Sequence, residues 1–391
     1  MGSHQPRIYL DYNASAPLRD SARAAMLATL GAGNASSVHA EGRAARRRVE
    51  AAREAVATLV GADPRGVTFT SGATEANATV LTPRWTRGGA PVEFTRLLVS
   101  SVEHPSVLAG GRFPAERVTR IPVDRNGVID VAALDEAVAR ETAAGGRLMV
   151  SLMAANNETG VIQPVAEAAA IVHAAGGLAH ADVVQAAGKL PLDLATLRVD
   201  VVTLSAHKIG GPQGVGAVIR ADSALAFAPL VAGGGQEAYA RAGTENVAAI
   251  AGFGAAAVEA AAEAGAVRPW AKWQTRIEQR LVELDPRTVI LGAGAARLPN
   301  TIAFALPGVL AETAVIALDL AGIAVSSGSA CSSGKVAASH VLAAMGAGPD
   351  IARGGVRVSF GHGTTEADIA GFLAAWQAVL PSLRSAAGRA A

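Results

Sequence analysis

Two side chains that could act together on an organic cofactor lie where predicted strands end. Lys208 follows a strand-like apolar run and precedes the chain-breaking residues Gly210, Gly211 and Pro212. A lysine in a low-dielectric cleft has a lowered pKa, which frees its amine to form a Schiff base. Asp182 ends an earlier strand-like run. A lysine that holds an aldehyde and a carboxylate that keeps a ring nitrogen protonated are the pair that pyridoxal phosphate requires. Most lysines are merely solvated, so this interpretation depends on other segments.

A glycine-containing turn offers a place for a phosphate. The octapeptide TSGATEAN, residues 70–77, follows a predicted strand and opens a predicted helix. Gly72 allows a close turn, and the free N–H groups of the first helical turn would bind a phosphate together with the Thr74 hydroxyl. The alternative is an ordinary helix start capped by serine or threonine. The octapeptide alone favours neither interpretation.

Cys331 is the single cysteine of the chain. One thiol can form neither an internal disulfide nor a zinc site of several thiolates, so we predict no disulfide scaffold and no metal site. A lone cysteine is most often inert and buried. Cys331 instead lies in SSGSACSSG, residues 326–334, a polar run that suits a thiol working at the solvent.

The candidate residues need a framework that brings strand ends together. Strand-like apolar segments alternate with Ala-rich helical segments over the first two thirds of the chain. The predicted strands are residues 67–70, 97–101, 148–152, 178–181 and 199–204, and the predicted helices include 41–60, 131–140 and 165–175. Continuous apolar strands between helices indicate a largely parallel sheet covered on both faces. Ligands bind such sheets outside the carboxyl ends of the strands.

The pattern changes after residue 252 and predicts a second, smaller α+β domain. Its predicted strands are residues 301–305, 323–326 and 356–360, with a closing helix near 366–383. The apolar stretch 247–258 is rich in Ala and Gly and ends before Glu259, so it is interpreted as a packed helix too short to cross a bilayer. We predict a large cofactor-binding domain over residues 16–260 and a small domain made of residues 1–15 and 261–391.

Composition excludes several classes of function. Of the 391 residues, 50% are hydrophobic and only 17% are charged, which argues against disorder. The formal net charge of +1 gives no support for a protein that binds nucleic acid or a membrane surface by bulk charge. The first seven residues are polar and contain no signal peptide, so we expect a cytoplasmic protein.

Seven segments carry a family resemblance in a fixed order. They are TSGATEAN (70–77), SSVEHPSV (100–107), AANNETG (154–160), HADVVQAAGK (180–189), SAHKIGGPQGVG (205–216), GGGQEAYARAGTEN (233–246) and SSGSACSSG (326–334). In this order they resemble the cysteine desulfurases of the NifS/IscS type, in the class V aminotransferase family. The resemblance runs from residue 10 to residue 369. It implies the type I pyridoxal-phosphate transferase fold, with a mostly parallel seven-stranded sheet in the large domain and a smaller α+β domain.

The resemblance also implies a role for individual residues. Lys208 matches the Schiff-base lysine, Asp182 the partner of the pyridine nitrogen, and Cys331 the thiol that accepts sulfur. The remaining matches are His104, stacked on the cofactor ring; Gln185, the donor to its phenolic oxygen; Ala73, Thr74, Ser205 and His207, the phosphate cup; Thr244, which reaches the phosphate from the neighbouring subunit; and Asn157 and Arg357, which bind the substrate carboxylate. A guanidinium suits that last role because it binds carboxylates through paired hydrogen bonds.

Three departures from the family pattern affect regions near the entrance or the dimer contact. Ala35 stands where the family has proline, and Ala238 replaces the first of two arginines, which leaves Arg241. The segment 335–342, KVAASHVL, keeps the loop length of the long-loop desulfurases but lacks their Leu-Glu-Pro. These departures concern partner and oligomer contacts more than the chemistry.

The resemblance implies a homodimeric enzyme that uses pyridoxal 5'-phosphate to convert L-cysteine to L-alanine. Sulfur would remain on Cys331 as a persulfide and pass to an acceptor protein, either an iron–sulfur scaffold or a sulfur carrier. Two alternatives remain open at this point. One is a selenocysteine lyase or an aminotransferase on the same fold, and the other is a non-catalytic scaffold for sulfur transfer.

Overall fold

The structure, a computed structural model, describes residues 7–328 and 338–390. The helices and strands up to residue 264 are β1 (Ile8–Tyr9), α1 (Asp20–Leu27), α2 (Ala40–Leu59), β2 (Val67–Thr70), α3 (Ala73–Val80), β3 (Arg84–Arg87), β4 (Ala90–Glu93), β5 (Arg96–Ser100), α4 (Pro105–Leu108), β6 (Val118–Ile121), α5 (Val131–Ala143), β7 (Leu148–Ser151), α6 (Val165–Ala174), β8 (Leu178–Asp182), α7 (Leu194–Leu197), β9 (Val201–Ser205), β10 (Gly216–Arg220), β11 (Leu225–Phe227) and α8 (Val247–Ala264). Those that follow are α9 (Trp270–Leu284), β12 (Val289–Ile290), β13 (Thr301–Ala305), α10 (Ala311–Leu320), β14 (Ile323–Ala324), β15 (Ser326–Ser327), α11 (His340–Ala344), α12 (Pro349–Gly354), β16 (Val356–Ser359) and α13 (Glu366–Ala390).

A seven-stranded sheet forms the centre of the larger part of the molecule. Its strand order is β2-β10-β9-β8-β7-β5-β6. β10 runs antiparallel to both of its neighbours, and the remaining neighbouring pairs are parallel. The predicted mostly parallel sheet is therefore confirmed. Its parallel strands end at one edge, where the polar candidates of the sequence follow them.

Both faces of this sheet are buried. In β5, Leu97 and Val99 belong to one hydrophobic cluster and Leu98 belongs to another. Successive side chains of a strand point to opposite faces, so the two clusters lie on opposite sides. Helices α2, α5, α6 and α8 contribute to the cluster around Leu98, and α3 contributes to the other. This double cover explains why the strands are continuous apolar runs.

Helix α8 includes the apolar stretch 247–258 and continues beyond it. It continues past Glu259 to residue 264, and the Glu259 side chain pairs with Arg19. By length and composition α8 could cross a membrane, so the estimate that it is too short was wrong. Half of it is buried, and core helices pass the same test. A Cβ atom on Gly254 would lie 2.6 Å from the Ala52 Cα of α2, so α8 packs closely inside the protein.

A second sheet lies in the C-terminal part of the chain. Its strand order is β12-β13-β16-β15, and all its neighbours are antiparallel. Trp273, Phe304, Phe360 and Trp376 form the centre of its hydrophobic cluster, which also includes Leu10 from the N-terminal segment. β1 pairs in parallel with β14. This packing agrees with the predicted assignment of residues 1–15 to the small domain, and the domain boundary itself stays a prediction.

Several local features differ from the sequence prediction, and strands β6 and β10 were not among the predicted strands. The predicted strand 323–326 is divided at Val325 into β14, which pairs with β1, and β15, which pairs with β16. The hairpin of β3 and β4 was not predicted. Its sequence, RWTRGGAPVE, is mostly polar, and Trp85 supplies its buried anchor against Phe227.

Candidate active site

Most of the residues selected from the sequence line one cavity at the carboxyl edge of the large sheet. Its volume is about 530 Å³. The predicted residues in its lining are Ala73, Thr74, His104, Asn157, Asp182, Gln185, Ser205, His207, Lys208 and Arg357. They come from separate parts of the chain, and the parallel strands bring them to the same edge.

Lys208 lies in a single helical turn directly after β9. Its Nζ atom donates hydrogen bonds to the main-chain oxygens of Asn13, at 2.6 Å, and Ala14, at 2.9 Å. The N-terminal segment thus crosses the edge of the sheet and aims the amine at the cavity.

Asp182 is the last residue of β8 and is 7% exposed. Its Oδ2 atom accepts a hydrogen bond from Asn77 Nδ2 at 2.9 Å, and its Oδ1 atom accepts one from the Val184 N–H at 3.1 Å. Asn77 is held in turn by the Thr203 hydroxyl, which donates to its Oδ1 at 2.6 Å. These bonds fix the plane of the carboxylate at the floor of the cavity.

His104 caps the short helix α4. Its Nδ1 atom accepts a hydrogen bond from the Ser106 N–H at 3.2 Å and lies 2.8 Å from Ser106 Oγ. Asn77 Nδ2 donates to the same hydroxyl at 2.9 Å. Because Nδ1 is an acceptor, this network assigns the proton of the neutral ring to Nε2. Burial lowers the pKa of His104, so the neutral imidazole is favoured.

The first turn of α3 could hold an anion. Its N-cap, Gly72, has no side chain, and no described side chain caps the first turn. The first-turn N–H groups therefore face the cavity beside Thr74, Ser205 and His207. A Cβ atom on Gly216 would lie 2.7 Å from Gly72 Cα, so glycine at 216 permits this turn to approach β10. Burial lowers the pKa of His207 to about 4, which leaves a neutral ring near neutral pH.

Arg241 matches the second of the two family arginines, the first of which is replaced here by Ala238. Its side chain has a defined partner. Its Nε atom forms an ion pair with Glu75 Oε1 at 3.1 Å. Glu75 also accepts the Ser71 N–H at 2.8 Å. The positive charge of Arg241 thereby balances the Glu75 carboxylate, which lines the cavity beside the start of α3.

Arg357, on β16, presents a buried guanidinium to the cavity. Nη2 donates to Asp11 Oδ1 at 2.7 Å, and Nη1 donates to the Asn157 main-chain oxygen at 2.9 Å. Its Nε atom is buried and has no hydrogen-bond partner among the described residues. A buried donor without a partner is costly, and a carboxylate ligand would satisfy it.

Comparison with known proteins agrees with this geometry. The family model described as Aminotransferase class-V matches residues 8–372. A cysteine desulfurase of Cereibacter sphaeroides is 42% identical over 390 residues, with 97% of each chain covered. An IscS-like cysteine desulfurase of Mycobacterium tuberculosis is 38% identical over 392 residues, with 98% of each chain covered. The chain belongs to the class V aminotransferase family and, within it, to the cysteine desulfurases.

Solved structures of related proteins share this fold. A NifS-like protein from Rickettsia africae has a TM-score of 0.85 and 33% sequence identity, covering 96% of this chain and 99% of its own. A structure described as SspA in complex with cysteine has a TM-score of 0.73 and 27% identity, covering 90% and 98%. The predicted family and fold class are confirmed.

Two of the predicted site residues are not among the described residues that line the cavity. Thr244 lines a separate groove with Glu237 and Arg241, so its predicted action in a neighbouring subunit stays a prediction. Cys331 lies outside the described residues. Near its segment, the Ser339 hydroxyl donates to Glu158 Oε2 at 2.6 Å, and a Cβ atom on Gly328 would lie 2.8 Å from the same oxygen.

Sequence reasoning missed two residues that organise the desulfurase site. Asn13 accepts hydrogen bonds at its main-chain oxygen from Lys208 and Gln185, and its Nδ2 donates to Thr301 Oγ1 at 3.0 Å. Asn77 holds both Asp182 and the hydroxyl beside His104. Asn77 lies in the segment 70–77 and Asn13 lies within the span of the resemblance, but their burial and contacts leave no signal in the sequence.

Proposed function

We propose that the chain is a pyridoxal-phosphate-dependent cysteine desulfurase that converts L-cysteine to L-alanine and holds the sulfur as a persulfide on Cys331. The observation that carries the proposal is the meeting of Lys208, Asp182 and His104 in one cavity with the buried arginine Arg357. Names of full-length relatives as cysteine desulfurases support the same activity. The related structure described with cysteine supports L-cysteine as the substrate.

The residues present fit the cofactor that the family implies. The uncapped first turn of α3, with Thr74, Ser205 and His207, would hold its phosphate. Asp182 would hold the ring nitrogen, His104 would stack on the ring, and Lys208 would hold the aldehyde carbon. When bound, the cofactor supplies a ring that takes up electrons from the substrate α carbon.

The side chains then have separate tasks in moving protons. The Lys208 amine would remove the proton from the substrate Cα atom and later return it to the same atom. Asp182 would lie opposite the ring nitrogen, and Asn77 would keep its carboxylate from rotating. Neutral His104 is placed to accept or donate a proton near the substrate sulfur. Arg357 binds the substrate carboxylate together with Asn157.

Sulfur transfer requires a nucleophile beyond the described residues. The Cys331 thiolate attacks the substrate sulfur, so a sulfur–sulfur bond forms and the substrate carbon–sulfur bond breaks. The electron pair of the broken bond remains on the substrate carbon, which takes up a proton to give alanine. One cysteine and one protein thiol thus give one alanine and one protein persulfide, without an outside oxidant. An acceptor protein for iron–sulfur or thiocofactor synthesis would then remove the sulfur.

The assembly and the compartment extend this proposal. Thr244 lines a groove that is separate from the cavity lined by Lys208. This separation supports a homodimer in which Thr244 of each subunit completes the phosphate site of the other. The nearly balanced charge composition supports a cytoplasmic enzyme.

The test is to follow the products after L-cysteine is added to the protein loaded with pyridoxal phosphate. We expect L-alanine and protein-bound sulfane sulfur in equal amounts during the first turnover. Pyruvate and ammonia in place of alanine would contradict the proposal. Activity limited to selenocysteine would identify a lyase, transamination without sulfane sulfur would identify an aminotransferase, and the lack of any turnover would favour the scaffold alternative.

Asp182→Asn should retain the cofactor but lose most turnover. The amide keeps the shape of the carboxylate, but it carries no charge to keep the ring nitrogen protonated. A hydrogen bond to a charged group contributes about 1.5–3 kcal/mol, so alanine formation should fall roughly 10- to 100-fold. The measurements are cofactor absorbance and the rate of alanine release. The matched control is Asp222→Asn at an exposed turn, which should behave like the parent. An unchanged rate in Asp182→Asn would remove this residue from the mechanism.

A further inference from the structure

A second lysine lies behind the catalytic one. Lys189 donates from Nζ to Gln185 Oε1 at 2.7 Å and to Asn13 Oδ1 at 2.9 Å. It is not in the lining of the 530 Å³ cavity, but it shares a cavity of about 30 Å³ with Lys208 on the far side of that residue. The mechanism above gives Lys189 no task.

The surroundings of Lys189 favour an uncharged amine. Both of its hydrogen-bond acceptors are neutral amide oxygens. Burial lowers its pKa well below the usual range, and the positive charges of Lys208 and Arg357 lower it further. The titratable groups around the small cavity are Tyr12, Arg19, Lys208, Glu263 and His362. A neutral amine has two N–H donors, and the two amide oxygens account for both.

The hydrogen bonds of Gln185 leave one orientation for its amide group. Its nitrogen faces the main-chain oxygen of Asn13 at 3.0 Å, and that oxygen can only accept a hydrogen bond. Its oxygen faces Lys189, which donates. The amide therefore directs its NH₂ group toward the cavity side, and one N–H remains after the bond to Asn13. Lys189 and Asn13 together prevent the amide from turning its oxygen toward the cavity.

We propose that Lys189 is a positioning residue that holds the Gln185 amide so that its free N–H points at the phenolic oxygen of the bound cofactor. The inference rests on the proposed function, because it assigns the partner of Gln185 to pyridoxal phosphate. An N–H donated to that oxygen stabilises its anionic form. Lys189 acts through Gln185 and touches neither the cofactor nor the substrate.

Lys189→Met removes both donors while keeping a side chain of similar length. In protein loaded with pyridoxal phosphate and without L-cysteine, the pH at which the visible absorption of the bound cofactor changes should rise by roughly one unit. The direction follows because a less firmly held N–H stabilises the anionic oxygen less. A merely structural role would lower the melting temperature without moving this pH.

A double-variant cycle tests whether Lys189 acts through Gln185. In a Gln185→Ala background, Lys189→Met should shift the transition by a small fraction of its effect in the parent. Lys272→Met, on the exposed face of α9, is the matched control and should shift nothing. If Lys189→Met does not fold, Lys189→Leu, which also lacks both donors, replaces it in the same cycle, with a shift in the same direction.

An unshifted transition in the single variant, or a full shift in the Gln185→Ala background, would overturn the inference. These outcomes are distinct from failure of the proposed function. A parent protein that makes no alanine from L-cysteine contradicts the function, whereas a parent that makes alanine beside an unshifted variant contradicts only the role of Lys189.

Discussion

Lys208→Ala is expected to abolish the visible absorption band that borohydride reduces and to lower alanine formation by roughly a thousandfold or more. Lys208 is the lysine that lines the cavity beside Asp182 and His104. Its loss removes both the covalent anchor of the cofactor and the base that takes the substrate α proton. The measurements are the absorption spectrum before and after borohydride, the mass of the trypsin fragment that carries reduced cofactor, and the rate of alanine release.

Two further variants make the Lys208 result specific. Lys272→Ala changes an exposed lysine on α9 and should retain the band and the rate of the parent. Lys189→Ala changes the neighbouring lysine and should retain a borohydride-reducible band. If the band survives in Lys208→Ala and disappears in Lys189→Ala, the two lysines have been assigned in the wrong order.

Cys331→Ser should separate the two halves of the reaction. Lys208, Asp182 and Arg357 remain, so adding L-cysteine should still change the visible spectrum. A serine hydroxyl has a far higher pKa than a thiol and is a poor nucleophile toward sulfur. Cleavage of the carbon–sulfur bond should therefore stall, with no protein-bound sulfane sulfur and with alanine reduced roughly a thousandfold.

The sequence offers a strict control for the Cys331 experiment. The chain contains no other cysteine that could replace the thiol. Cys331→Ala should consequently behave like Cys331→Ser, since both variants lack a sulfur nucleophile. Alanine release near the parental rate in both variants would contradict a persulfide mechanism and would indicate a lyase that releases sulfide directly.

The fold could be predicted where burial leaves a clear pattern. Strands β7, β8 and β9 are buried throughout, and their mostly apolar runs located them to within two residues. Strand β10 was not among the predicted strands, and its antiparallel course leaves no pattern in its composition. The polar hairpin of β3 and β4 was missed for the opposite reason, because few of its residues are buried.

The site could be predicted in its chemistry but not in its supports. Lys208 and Asp182 stand at strand ends, where residue type alone indicates a function. The supporting residues act through contacts with neighbours that are distant in the sequence, as do Asn13, Lys189 and Glu103. Burial raises the pKa of Glu103 well above its usual range, and its carboxylate accepts the Met153 N–H at 2.7 Å. No local pattern distinguishes such a glutamate from one at the surface.

The position of Asn13 has a consequence for the order of folding during synthesis. The Asn13 N–H donates to the Ser359 hydroxyl, 346 residues away, and β1 before it pairs with β14. A ribosome releases the N-terminal segment first, but its partners emerge near the end of translation. The carbonyl oxygens that aim the Lys208 amine therefore reach their places only after nearly the whole chain has been made. The central sheet can therefore form in a nascent chain before the Lys208 amine is positioned, so the amine takes its place only when the protein around it is nearly complete.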